Sequence, residues 1–262
     1  ECALHGSWRD MFAAGGLDGT IVATPPASHA EIALAALEHD LAVLIEKPLT
    51  LDLAEAEALG ARAAGSIAQV DHTDLYNPAW RALRERVAEI GPIREIECAW
   101  FNRGPLRPDT PGRWDYGPHP LALCIDLLGA APRSVAARRL VREGAAELVE
   151  ADLQWDQGPH ARVRIGNAGD RKCRRLEARG ESGAITYDDL AHEKALLDGT
   201  PVGFAPEAPL AAVLTRFAIA IGRGQPDNGD VKLALEVVRT LGRIDVALEA
   251  GSDAVPARMR PL

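Results

Sequence analysis

GTIVAT (residues 19–24), EIALAALEH (31–39), LAVLIE (41–46), LAEAEALGARAA (53–64) and IAQVDH (67–72) follow one another near the start of the chain, and their alternation decides the fold class. The first, third and fifth are short, β-branched and continuously apolar, the pattern of parallel strands covered on both faces. The second and fourth are alanine-rich with helical spacing of the larger apolar residues, so the whole reads β-α-β-α-β. Pro48 closes the second strand, and Thr50 or Asp52 is placed to cap the helix after it, since a short side-chain oxygen accepts from the free N–H groups of a first turn. Another amphipathic helix covers 79–90 and stops at Gly91-Pro92.

The style then changes. REIECAWFNR (94–103), SVAARRLVRE (134–143), AELVEADLQWD (146–156), HARVRIGN (160–167), CRRLEARG (173–180) and AITYDD (184–189) are strand-like, several of them alternating, with glycine or proline between. Helices are predicted at 118–129, 207–222 and 230–249. The fold class is therefore α/β plus α+β: a doubly wound unit followed by a large, mostly antiparallel open sheet with helices on one face. The uncovered face is expected to be apolar, and because such faces are rarely left to water it should join copies into a homo-oligomer, a dimer or tetramer.

Composition removes several function classes. A net charge of -9 and a pI near 5.3 oppose binding to nucleic acid or an anionic membrane, both of which need a positive surface, so a small-molecule partner is favoured. Cys2, Cys98, Cys124 and Cys173 form no C-x-x-C pair, which argues against a zinc site or disulfide framework and for a cytoplasmic location. No apolar run is long enough to span a membrane, and no export signal stands at the start.

In an open parallel sheet, ligands bind outside the carboxyl ends of the strands, where the loops converge. Three segments sit there: Ala23 through His29 with Thr24 and Pro25, Glu46-Lys47-Pro48, and Asp71 through Pro78 with Tyr76 and Asn77. Lys47 could hydrogen-bond a substrate hydroxyl from that position. A fourth segment, Trp114-Asp115-Tyr116-Gly117-Pro118-His119, opens an apolar helix. Asp115 and His119 are four apart, so on a helix they share a face and the carboxylate can orient the imidazole as a general base. The preceding loop carries Arg103, Arg107 and Arg113, suited to a phosphate or carboxylate on the substrate. The basic run from Asp170 to Arg175 reads as a solvated hairpin, and His192-Glu193 lacks the second histidine of a helical metal site, so no metal is expected.

The order A-T-P-P-x-x-H (23–29), E-K-P-L (46–49), H-T-x-L-Y-N-P (72–78) and W-D-x-G-P-H (114–119) ahead of D-L-L-G (126–129) resembles the Gfo/Idh/MocA oxidoreductases over essentially the whole chain. That resemblance implies a Rossmann domain over 1–75 and an α+β substrate-binding and oligomerisation domain over 76–262, with the C-terminal helix packing back on the first. It implies hydride transfer between NAD or NADP and a sugar, polyol or nucleotide-sugar carbon. By the resemblance Lys47, Asp115 and His119 are catalytic, and Thr24, Pro25, His29, Glu46, Lys47 and Pro48 contact the dinucleotide. Tyr76, Asn77, Arg103, Arg113 and Trp114 would contact substrate.

The sequence departs from the family at Ala122, where many members carry aspartate, and in having no G-x-G-x-x-G turn to cradle a pyrophosphate. Its first residues resemble the family's third strand, so a preceding segment of two βα units, on the order of 60 residues, is expected beside GTIVAT. Two other readings stay open: a non-catalytic or regulatory homologue, and an enzyme that uses tightly held NAD for elimination or glycoside cleavage.

Overall fold

The computed structural model describes residues 2–156 and 158–251. After helix α1 (Trp8–Ala14), strands β1 (Gly19–Val22), β2 (Ala42–Glu46) and β3 (Ala68–Asp71) form a three-stranded parallel sheet, linked by helices α2 (His29–Glu38) and α3 (Leu53–Arg62). Asp52 caps α3, accepting from the Glu55 N–H at 3.0 Å, while Thr50 is buried and donates to the Asp52 carbonyl at 2.6 Å. β2 and β3 are buried almost throughout: β2 is apolar up to Glu46, whereas β3 also buries Gln69 and Asp71.

Helix α4 (Pro78–Arg86) leads, through a short 3-10 turn, to the second sheet. Its strands are β4 (Ile93–Arg103), β5 (Ser134–Glu143), β6 (Ala146–Gln154), β7 (His160–Gly166), β8 (Ala168–Gly180), β9 (Ala184–Asp188), β10 (Ala195–Leu197) and β11 (Thr200–Pro201). They lie in the order β11-β10-β9-β8-β4-β7-β6-β5, with β4 and β7 parallel and every other neighbouring pair antiparallel. Gly166 ends β7 with φ +149°, and a Cβ there would lie 2.1 Å from the Glu147 carbonyl, so only glycine allows β6 and β7 to meet so closely.

Between β4 and β5 come helices α5 (Gly112–Tyr116) and α6 (Pro118–Leu128); α7 (Pro209–Arg223) and α8 (Gly229–Ala250) close the fold. The buried stripe of α8 (Val231, Ala234, Val238, Leu241, Ile244, Leu248) touches α3 and β3 on one side and α6 and β5 on the other, so one apolar core runs under both sheets. The C-terminal helix thus packs on α3 and β3 of the first sheet.

The uncovered face of the large sheet differs from expectation. Side chains alternate, so Ile96, Cys98 and Trp100 of β4 point to the helices while Glu97, Ala99 and Phe101 point away. Around a small apolar patch of Phe101, Leu148 and Cys173, that outer face carries ion pairs between neighbouring strands. Arg162 meets Glu97 at 3.2 Å and Asp152 at 3.3 Å, Arg164 meets Glu150 at 2.8 Å, and Arg179 meets Glu95 at 3.5 Å. The apolar face is corrected to a charged lattice: cross-strand charges satisfy one another, so burial under a partner is not forced.

Candidate active site

The carboxyl ends of β1, β2 and β3 and the start of α6 converge on one cleft. Lys47, just past β2, donates from Nζ to the Asp115 carbonyl at 2.8 Å and to Asp115 Oδ1 at 2.9 Å. Arg107 Nε lies 3.2 Å from the other Asp115 oxygen. His119, in the first turn of α6, bonds through Nδ1 to Asp74 Oδ2 at 2.6 Å. The expected Asp115–His119 pair is therefore corrected. Helical spacing puts the two on one face, but the Lys47 ammonium claims the Asp115 carboxylate, and a residue from the loop after β3 takes the imidazole instead.

Burial would raise the Asp74 carboxyl, yet the His119 charge and hydrogen bond, with Arg174 nearby, hold it below its usual value and keep it ionised. Arg174 lies opposite Trp100 on the helix-facing side of β8 and pairs with Asp189 at 3.3 Å, so it is no solvated hairpin residue. Glu46 and Asp71 pair in register across β2 and β3. Burial raises both carboxyls; Asp71 adds to the rise at Glu46, while Lys47 and His119 oppose it at both. His72 is almost wholly buried, both ring nitrogens are without a hydrogen-bond partner among the described residues, and burial, then the His119 charge, pushes it down to about 3. The sequence carried a signal for Asp74, Asp71 and His72 in the D-H-T-D run at the end of a parallel strand; Arg174 had none.

Other expected ligand residues turn to the protein. Thr24 accepts from Ser28 at 2.7 Å, and Thr24, Pro25, Glu46 and Pro48 do border the strand ends. His29 is buried, its Nε2 2.8 Å from the Thr24 carbonyl and its Nδ1 2.9 Å from that of Pro48, so it ties β1 to β2 and does not face a dinucleotide. Tyr76 donates to Asp230 at 2.8 Å and also meets Arg216, while Asn77 caps α4 and donates to Asp189 at 3.1 Å. Arg113 is held by Glu147 at 2.9 Å and by Asp245, and Trp114 Nε1 donates to Asp245 at 2.9 Å. These four anchor the helices rather than lining the cleft, because each finds an internal partner that a free ligand would have to displace. Arg103 is exposed at the end of β4.

Residues 2–72 match the family described as an oxidoreductase family with an NAD-binding Rossmann fold, Gfo/Idh/MocA. A crystal structure of a candidate oxidoreductase from Magnetospirillum magnetotacticum MS-1 superposes with a TM-score of 0.86 at 39% identity, covering 92% of this chain and 84% of that one. UDP-N-acetylglucosamine 3-dehydrogenase of Acidithiobacillus ferrooxidans is 26% identical over 89% of this chain and 80% of its own length. The NAD(+)-dependent scyllo-inositol 2-dehydrogenase of Bacillus subtilis is 34% identical over 80 residues, 29% of this chain and 23% of that protein. With motif order, fold and relatives in agreement, the chain belongs to the Gfo/Idh/MocA oxidoreductase family.

Proposed function

We propose that the chain is an NAD(P)-dependent dehydrogenase acting on the hydroxyl or keto carbon of a sugar, polyol or nucleotide sugar. One observation carries the reading: Lys47 and His119 are each fixed by a separate carboxylate, Asp115 and Asp74, at the mouth of the same parallel sheet. Among the described residues no hydrogen-bond partner meets His119 Nε2, and the Lys47 ammonium keeps a donor beyond the two that Asp115 takes.

The donor set suits the nicotinamide end of a dinucleotide. The half-buried Glu46 carboxylate at the end of β2 can accept from ribose hydroxyls, and the Thr24-Pro25 turn flanks it. None of the three strands of this sheet is followed by a glycine-rich turn of the kind that holds a pyrophosphate. NAD(P), when bound, supplies the hydride acceptor or donor.

With Asp74 accepting the Nδ1 proton, the Nε2 lone pair of His119 is free to take the substrate's hydroxyl proton. Lys47 donates to the same oxygen and stabilises its developing negative charge. In reverse, the imidazolium returns the proton to a ketone oxygen. Asp74 thus assumes the orienting role expected of Asp115, while Asp115 holds Lys47. Three buried free thiols suit a reducing cytoplasm.

The test is turnover by the complete protein on a panel of polyols, aldoses and nucleotide sugars, read by reduced-nicotinamide absorbance with each cofactor. Lys47→Met should fold normally and lose about 10²- to 10⁴-fold in turnover, the usual worth of a positioned proton-transfer group. No turnover on any member, or a Lys47→Met variant as fast as the parent, would overturn the proposal.

A further inference from the structure

The loop between β4 and α5 carries Arg107, and this residue has two neighbourhoods. On one side its Nε lies 3.2 Å from Asp115, the carboxylate that holds Lys47 at 2.9 Å. On the other it lines a cavity of about 470 Å³ together with Thr110, Arg113, Arg139, Arg142 and Glu147. Arg139 and Arg142 come from the β5–β6 hairpin, far away in sequence, and only the folded sheet brings them to this loop.

The charges of the lining do not cancel. Glu147 is taken by Arg113, which reaches it at 2.9 Å through Nη1 and also donates its backbone N–H at 2.9 Å. Arg139 gives one N–H to the Leu248 carbonyl at 3.1 Å and keeps its remaining donors. Arg107, Arg139 and Arg142 therefore face Asp109 as the one other acidic side chain of the lining, in a chain whose net charge is -9. The second sign is the Thr110 hydroxyl. It is buried, belongs to the same wall, and has no hydrogen-bond partner among the described residues. Buried hydroxyls are ordinarily paired, and an orphan beside a cluster of guanidinium groups is a donor waiting for an acceptor. Guanidinium groups with a neutral hydroxyl make the donor set that recognises an oxyanion.

The geometry points to an oxyanion subsite: the cavity takes the phosphate or carboxylate of the substrate whose hydroxyl carbon lies against Lys47 and His119. The inference rests on the dehydrogenase reading and narrows its substrate class to an anionic sugar derivative, since an uncharged polyol would leave Asp109 as the one acidic side chain facing Arg139 and Arg142. Arg107 is the link. With the cavity filled it can turn from Asp115 to the anion, which leaves Asp115 to Lys47 alone.

The experiment is calorimetric titration of the complete protein, free of cofactor, with inorganic phosphate and with malonate, against chloride at equal ionic strength. The variants are Arg139→Gln/Arg142→Gln and Thr110→Val, each first shown to melt with the parent in the absence of anion. The parent should bind phosphate or malonate and not chloride. The double variant should lose tenfold or more, and Thr110→Val, which keeps the shape and removes the donor, about three- to tenfold, the range of one hydrogen bond. Tighter phosphate than malonate assigns a phosphoryl group, and the reverse a carboxylate. Equal affinity for chloride, or variants that bind as the parent does, would overturn the subsite whatever the enzyme's activity. Anion binding that is lost in the variants, in a protein that turns over nothing on the panel, would leave the subsite standing and remove the dehydrogenase reading instead.

Discussion

Replacing Asp74 by asparagine separates the observed site from the one that helical spacing suggests. The Asp74–His119 bond is short at 2.6 Å and poorly exposed, at 12% and 19% for the two side chains. A charge-assisted bond of this kind contributes about 1.5–3 kcal/mol, or roughly 10- to 10²-fold in rate if it is made fully only as the imidazolium forms. Asparagine does further harm: its amide can donate to Nδ1, which places the ring proton on Nε2 where the base needs a lone pair. In a serine-protease triad the corresponding change costs about 10⁴-fold, so Asp74→Asn should lower kcat by 10²- to 10⁴-fold. Asp115→Asn is the contrast. Its side-chain oxygen and its backbone carbonyl, at 2.8 Å, both still accept from Lys47, so the loss should stay near tenfold, about the worth of the removed charge. The assay is kcat and kcat/KM against pH for both variants, with nitrogen-15 shifts of His119 reporting the tautomer independently of turnover. An Nδ1-protonated ring in Asp74→Asn, or equal losses in the two variants, would refute the assignment.

His72 is neutral in the fold at about 3 and has an unfolded value near 6.5, so the unfolded chain binds the extra proton between those limits and stability falls as pH drops through that window. At about 1.36 kcal/mol per pH unit, the loss attributable to His72 from pH 6.5 to 5 is roughly 2 kcal/mol. His72→Leu should remove that slope in denaturant titrations, and an unchanged slope would sink the idea. Arg113→Gln leaves Glu147 and Asp245 facing each other without their shared cation, and should cost about 3–5 kcal/mol of stability while leaving KM within a few-fold. A large rise in KM at full stability would return Arg113 to the substrate. If copies associate through the ion-paired sheet face, sedimentation should show the oligomer weakening as salt rises, because exposed charges are screened beyond about 8–10 Å. An assembly indifferent to salt would place the contact elsewhere.

The sequence by itself determined the order of elements. Apolar runs closed by Pro48 and Gly91 fixed β2 and the turn that precedes β4, and the spacing of Val231, Ala234, Val238 and Leu241 fixed the buried stripe of α8. It also placed Lys47 and His119 at strand and helix ends, since strand termini are readable from local pattern. Which carboxylate each one meets was decided only by tertiary structure. The i,i+4 relation of Asp115 and His119 is local and was legible, but an ion pair forms with whichever opposite charge lies nearest in space. Lys47 and Asp74 reach α5 and α6 only when the first sheet packs against them. For the same reason Arg113, Trp114 and Tyr76 read as ligand residues and proved to be anchors: their partners Asp245 and Asp230 lie on α8, more than 100 residues away along the chain. The outer sheet face followed suit. Alternation told which side chains leave the core, whereas the pairing of Arg162 with Glu97 and of Arg164 with Glu150 depends on strand order, which no local pattern carries.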